Sequence, residues 1–146
     1  MSEEKGMSLI VKTLGRILFP VMVLFGIYII LHGHVTPGGG FPGGVIIATG
    51  VVLMLLAYGS DKAKSFMNSV NATLLESTGA LLLVVIGLIG VFFVGQFLEG
   101  VVGTGFLGTL FSGSNLALLN IGVGIKVTAG LVTIAYSMLE LKEGEK

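Results

Sequence analysis

The stretch HGHVTPGGGFPGGVIIATGVVLMLLAY, residues 32–58, decides the fold. Its uninterrupted apolar part, 45–58, is too short for a hydrocarbon layer ~30 Å thick when each helical residue rises ~1.5 Å. It reaches spanning length only if the glycine-rich residues before it enter the membrane, which sets a second span at about 40–58. Three consecutive glycines, two prolines and a further glycine pair do not read as regular helix. Residues 32–44 therefore read as a glycine-rich outer loop, with two alternatives. It is either a tight surface turn, or irregular backbone that must be buried in protein or line a watery cavity because lipid satisfies no amide. In the second case the helix behind it points its positive N-terminal end toward the outer face.

Three more apolar runs flank this stretch: 9–31, with Lys12, Arg16 and Pro20 inside it, 74–98, and 116–139, interrupted by Lys126. Of 146 residues 53% are hydrophobic and 11% charged, with mean hydropathy +1.02. A typical soluble domain is ~25% charged overall. The reading is an all-α integral membrane protein, a single membrane domain of four transmembrane helices in the cell membrane. The 24 glycines suit helices whose backbones approach closely, so much of the surface is expected to face protein rather than lipid.

Composition also excludes functions. A net charge of zero leaves no electrostatic footprint for nucleic acid. Without cysteine there is no thiolate nucleophile, no Cys-ligated zinc and no iron–sulfur ligation. His32 and His34 lack helical metal-pair spacing and have no carboxylate nearby. No nucleophile–base pair is visible, so the chain does not read as catalytic by itself, and no cofactor is expected in it.

Lys and Arg placement sets the orientation. Lys5, Lys12, Arg16, Lys62, Lys64, Lys142 and Lys146 lie on one side, while 32–44 and 99–115 carry none. Both termini and the middle loop are therefore expected in the cytoplasm. Lys12 and Arg16 read as snorkelling to the headgroups. Thr73 and Glu76 have capping-box spacing at the start of the third span, which favours a helix cap over an ion ligand for Glu76, and Glu99 reads as marking its outer end.

Two features carry chemistry. His34 has an imidazole suited to proton relay. Lys126 lies ten residues into its span, ~15 Å from either surface, where snorkelling fails and an ammonium costs ~2.5–3.5 kcal/mol. Its neighbours at helical spacing, Gly122, Ala129, Gly130 and Thr133, form a small stripe that leaves room for another helix. With Glu76 and Glu99 read at span ends, no acid of this chain matches its depth. The lysine is then either neutral and hydrogen-bonded, or part of an ion path shared with a partner subunit.

The run His34-x-x-Pro37-Gly38-Gly39-Gly40-Phe41-x-Gly43-Gly44, followed by a short apolar span, closely resembles the B subunit (MnhB/MrpB) of Mrp-type multisubunit cation/proton antiporters. Related subunits occur in archaeal membrane-bound hydrogenases and sulfur-reducing complexes. The resemblance covers nearly the whole chain and marks His34, Pro37 and Phe41 as functional positions of the motif. It implies a small subunit of a Na+ and H+ exchanging complex, with other membrane subunits as partners and any redox cofactors in other chains. Pro42 stands at a position variable in that family. The rival reading is a purely structural scaffold subunit whose glycines serve packing alone.

Overall fold

The computed structural model describes residues 7–33, 37–59, 69–95, 97 and 115–144. Among these there are four helices, α1 (Leu9–His32), α2 (Gly40–Tyr58), α3 (Ser69–Val94) and α4 (Asn115–Gly144). Each is long and apolar enough to cross a membrane. The packing order differs from the chain order: α2 packs against both α1 and α4, and α3 packs on α4. Half of the α2 span is buried, against 17% of α1, 22% of α3 and 28% of α4. The second, shortest helix is the centre of the bundle, and α1 turns a row of large apolar side chains outward, Leu9, Ile17 and Leu24 among them.

Helix ends follow the glycines. Gly39 caps α2 at φ 128°, a left-handed conformation that glycine adopts without strain. The first α-helical bond of α2 runs from the Gly43 N–H to the Gly39 carbonyl at 3.3 Å. Gly40 to Gly44 are therefore helical rather than loop, which corrects the reading of 32–44 as irregular throughout. Pro42 is no obstacle, because it falls in the opening turn, where the backbone N–H has no intrahelical acceptor to lose. Gly59, at φ 85°, closes α2 by donating its N–H to the Leu55 carbonyl at 2.9 Å.

Two other boundaries move. α3 starts at Ser69, so Thr73 and Glu76 lie inside the helix and do not form its N-terminal capping box. It stops at Val94 rather than near 98, because Gly95 at φ 85° turns the chain and donates to the Val91 carbonyl at 3.1 Å. Phe97 then folds back onto Gly87. α4 continues to Gly144, beyond its apolar run.

The core gathers toward the α1 N-terminus and the α2 C-terminus, where Ala48, Val51, Leu55, Ala72, Val132 and Tyr136 pack together with Phe19 and Ala135 against them. Polar clasps close that end. The Met7 N–H reaches the Ala57 carbonyl at 3.2 Å, and the Tyr58 hydroxyl donates to the Lys12 carbonyl at 3.0 Å.

Candidate functional site

The glycine motif divides at Gly39. Pro37 and Gly38 are exposed ahead of α2, whereas Gly40, Gly43 and Gly44 are buried in its opening turns. These glycines face two directions. A Cβ added at Gly43 would lie 2.7 Å from the Gly26 carbonyl oxygen and 2.5 Å from Ile30 Cγ1, both on α1. One at Gly44 would lie 2.8 Å from the Gly124 carbonyl oxygen and 3.0 Å from Val127 Cβ on α4, and one at Gly40 would strike the Asn120 carbonyl. α2 thus enters between two backbones at separations no side chain allows. Dispersion between closely packed helices is the main source of association in lipid, where apolar burial gives no drive. Phe41 is 64% exposed and contributes nothing to this wedge.

Two polar side chains of α4 hold the start of α2. Asn120 Oδ1 accepts the Gly40 N–H at 3.4 Å, taking up one of the donors that a helix N-terminus leaves over. The buried Thr128 hydroxyl lies 2.7 Å from its own Gly124 carbonyl and 3.2 Å from the Gly44 carbonyl of α2, one proton shared between two helices. Neither residue stands out by type. The signal that finds them is the four-residue recurrence Asn120, Gly124, Thr128, which places two hydrogen-bonding groups and a glycine on one stripe.

Lys126 is exposed, ten residues past the start of the span Leu116–Met138, and forms no hydrogen bond or ion pair among the described residues. Its backbone is pinned all the same. A Cβ at Gly79 of α3 would lie 2.9 Å from the Lys126 nitrogen and 3.0 Å from its Cβ. The small stripe beside it is occupied by this chain's own α3, since Leu82 and Leu83 cover Gly122 and the Glu76 carboxylate lies against Gly130. Room for a neighbouring subunit is therefore not supplied by Gly122 and Gly130. The lysine instead emerges at the edge of the α3–α4 seam. Glu76, half-buried and one helical turn from Lys126 along α4, is an acid far closer in depth than its place in the sequence suggests.

His34 lies outside the described residues, as does Glu99. His32 ends α1 with its ring stacked on Tyr28, centroids 4.2 Å apart, and Nδ1 lies 3.2 Å from the Tyr28 carbonyl. An apolar groove of about 330 Å³ opens between α1 and α3 over α4, with Ile27, Ile30, Ile47, Leu75 and Ile125 on its walls and Thr128 among its lining residues. Lys126 is displaced ~200° around α4 from Thr128, at ~100° per residue, so it points away from that groove.

Residues 10–133 match the family model for the domain related to the MnhB subunit of the Na+/H+ antiporter. The chain belongs to the MnhB family. Its matched part holds the glycine wedge, Glu76 and Lys126. Among relatives of this MnhB-family chain, the B subunit of the Na(+)/H(+) antiporter of Bacillus subtilis is 38% identical over 98 residues, which cover 67% of this chain and 68% of that one. An uncharacterized protein of Methanocaldococcus jannaschii is 38% identical over 133 residues, 87% of this chain and 50% of its own. A chain in the structure of the membrane-bound sulfane sulfur reductase, an archaeal respiratory membrane complex, matches with TM-score 0.80 and 36% identity over 95% of this chain and 60% of its own. The present chain thus spans half of the Methanocaldococcus protein and 60% of the reductase-complex chain. With its four apolar helices, the MnhB-family chain is a multi-pass membrane protein of an antiporter-subunit family, which is not an enzyme family.

Proposed function

We propose that this chain is a small membrane subunit of a multisubunit Na+/H+ antiporter-type module, where it contributes to an ion or proton route at a subunit interface and to the assembly of its neighbours. One observation carries the reading. Lys126 stands at mid-span on the bundle surface with no partner among the described residues. An amine at that depth needs a polar group or water beside it, and its exposure directs it to a neighbouring subunit. The family match and the respiratory-complex neighbour support such a setting, either a stand-alone antiporter or a redox-driven complex whose cofactors reside in other chains. The genes flanking this one distinguish the two. Both termini and the 59–73 loop face the cytoplasm in this reading. A cysteine introduced at Lys64 should therefore be shielded from an externally added thiol reagent, and one at Thr36 should react.

The test is exchange measured in membrane vesicles carrying the whole complex. Lys126→Ala should lower cation/proton exchange while the complex assembles, and Lys126→Arg separates a fixed charge, for which exchange is partly restored, from a proton carrier, for which it is not, because a guanidinium keeps its charge and releases no proton. Exchange at the wild-type rate in Lys126→Ala would leave only the scaffold role.

A further inference from the structure

Across α2, α3 and the span Leu116–Met138 there are two charged side chains, Glu76 and Lys126, and both lie on the α3–α4 seam. The seam brings them together through glycines. Gly79 lets α3 approach until its Cβ position is 3.0 Å from Lys126 Cβ, and the Glu76 carboxylate lies in contact with Gly130, with Oε1 3.6 Å from the Gly130 Cβ position. Gly130 is one turn from Lys126 on the same face of α4, a displacement of ~6 Å along the axis. A flexible four-carbon stem covers that kind of distance. Neither group has a hydrogen bond or ion pair among the described residues. Uncompensated ionisable groups at membrane depth are expensive, and those that persist mark ion and proton paths.

We infer that Glu76 and Lys126 form a two-station proton relay along the α3–α4 seam, with Glu76 the station nearer the α3 N-terminus and the α4 C-terminus. In the forward step a protonated Glu76 carboxyl releases its proton to a neutral Lys126 amine, giving carboxylate and ammonium. The O–H bond breaks, an N–H bond forms, and no electron changes owner. The ammonium then hands the proton to an acceptor outside this chain, and Glu76 is reprotonated from its own end. The step proceeds by a lysine rotamer swinging one turn or through a bridging water. Lys126 is exposed and Glu76 half-buried, so the pair has an open end toward a neighbour and an enclosed end within the seam.

This relay rests on the role proposed for Lys126, and a double-mutant experiment separates the two. In vesicles carrying the assembled complex, proton exchange is measured for E76Q, K126M and E76Q/K126M, with assembly checked by native gel. Glutamine keeps the shape of the acid but carries no exchangeable acidic proton, so E76Q should slow exchange about a hundredfold, the low end of what one positioned proton-transfer group contributes. The double variant should be no slower than K126M alone, because groups acting in series on one route are not additive. If K126M slows exchange and E76Q does not, the relay is overturned while the Lys126 reading survives. If K126M has no effect, the proposed function itself fails. Effects that multiply in the double variant also overturn the relay. Should E76Q fail to assemble, E76D decides. Its carboxyl, one methylene shorter, should permit assembly and slow exchange, and either a wild-type rate or loss of assembly in both variants overturns the relay.

Discussion

α2 and α3 are both apolar, glycine-bearing helices of membrane length packed on α4, yet they are built for different ends. α2 is half buried, is gripped on both sides by Gly26 and Gly124, has Asn120 and Thr128 bonded to its first turns, and carries no charge. α3 packs on α4, stays largely exposed, and places the Glu76 carboxylate against Gly130, one helical turn from the lysine of α4. Glycine serves two purposes in one small bundle. On α2 it removes side chains so that three backbones lock together. On the seam Gly79 removes one so that α3 closes onto the backbone of Lys126. The first arrangement is intolerant of change, and the second leaves movement to its side chains.

Breaking the wedge should have the largest effect. In Gly40→Val and Gly44→Val the new side chains meet backbone atoms of α4, which do not yield as a flexible side chain would. We expect each to cost at least about 2 kcal/mol, the scale of overpacking in a close-packed core, seen as loss of the subunit from the purified complex. Wild-type assembly of both would mean that α2 is not wedged. Asn120→Leu comes next. It strips the acceptor from the Gly40 N–H and should lower thermal stability of the detergent-solubilised complex by about 1–2 kcal/mol, the usual penalty for an unsatisfied donor. Asn120→Asp, which keeps an acceptor oxygen, should lose less.

Smaller effects are expected at the hydroxyl bridge and on the seam. Thr128→Val preserves shape and removes the hydroxyl shared with Gly44, and interhelical hydrogen bonds in membranes average ~0.6 kcal/mol. A shift in melting temperature too small to affect assembly is the expected outcome, and loss of assembly would mean the hydroxyl does more than bridge two carbonyls. Smallest of all is Gly130→Ala on the seam. Its Cβ would stand 3.6 Å from Glu76 Oε1, an ordinary contact, so stability should stay within about 0.5 kcal/mol of wild type. Damage there equal to that at Gly40 would erase the contrast between the two helices.

Much of this architecture is legible in the sequence. Long apolar runs declare the spans, and the shortness of 45–58 forces α2 to begin in the glycines, as it does at Gly40. What misleads is the weight that glycine and proline carry as helix breakers. Close approach between helices outweighs glycine's low propensity at Gly40, Gly43 and Gly44, and Pro42 sits where a helix needs no N–H. Local spacing alone makes Glu76 look like a cap. Its true place depends on the register of α3 against α4, set by Gly79 and Gly122, and no pattern within one helix reveals that. Lys126 announces itself by depth, whereas Asn120 and Thr128 do not, because hydrogen-bonding side chains are ordinary in a span until their partner is known.

The most direct measurement is the structure of this chain within its assembled complex, at a resolution that shows the surroundings of the Lys126 amine. A polar group of a neighbouring subunit, or a chain of ordered water leading to one, is expected within hydrogen-bonding distance of Nζ. An amine surrounded by lipid tails alone, with neither protein polar group nor water beside it, would contradict it.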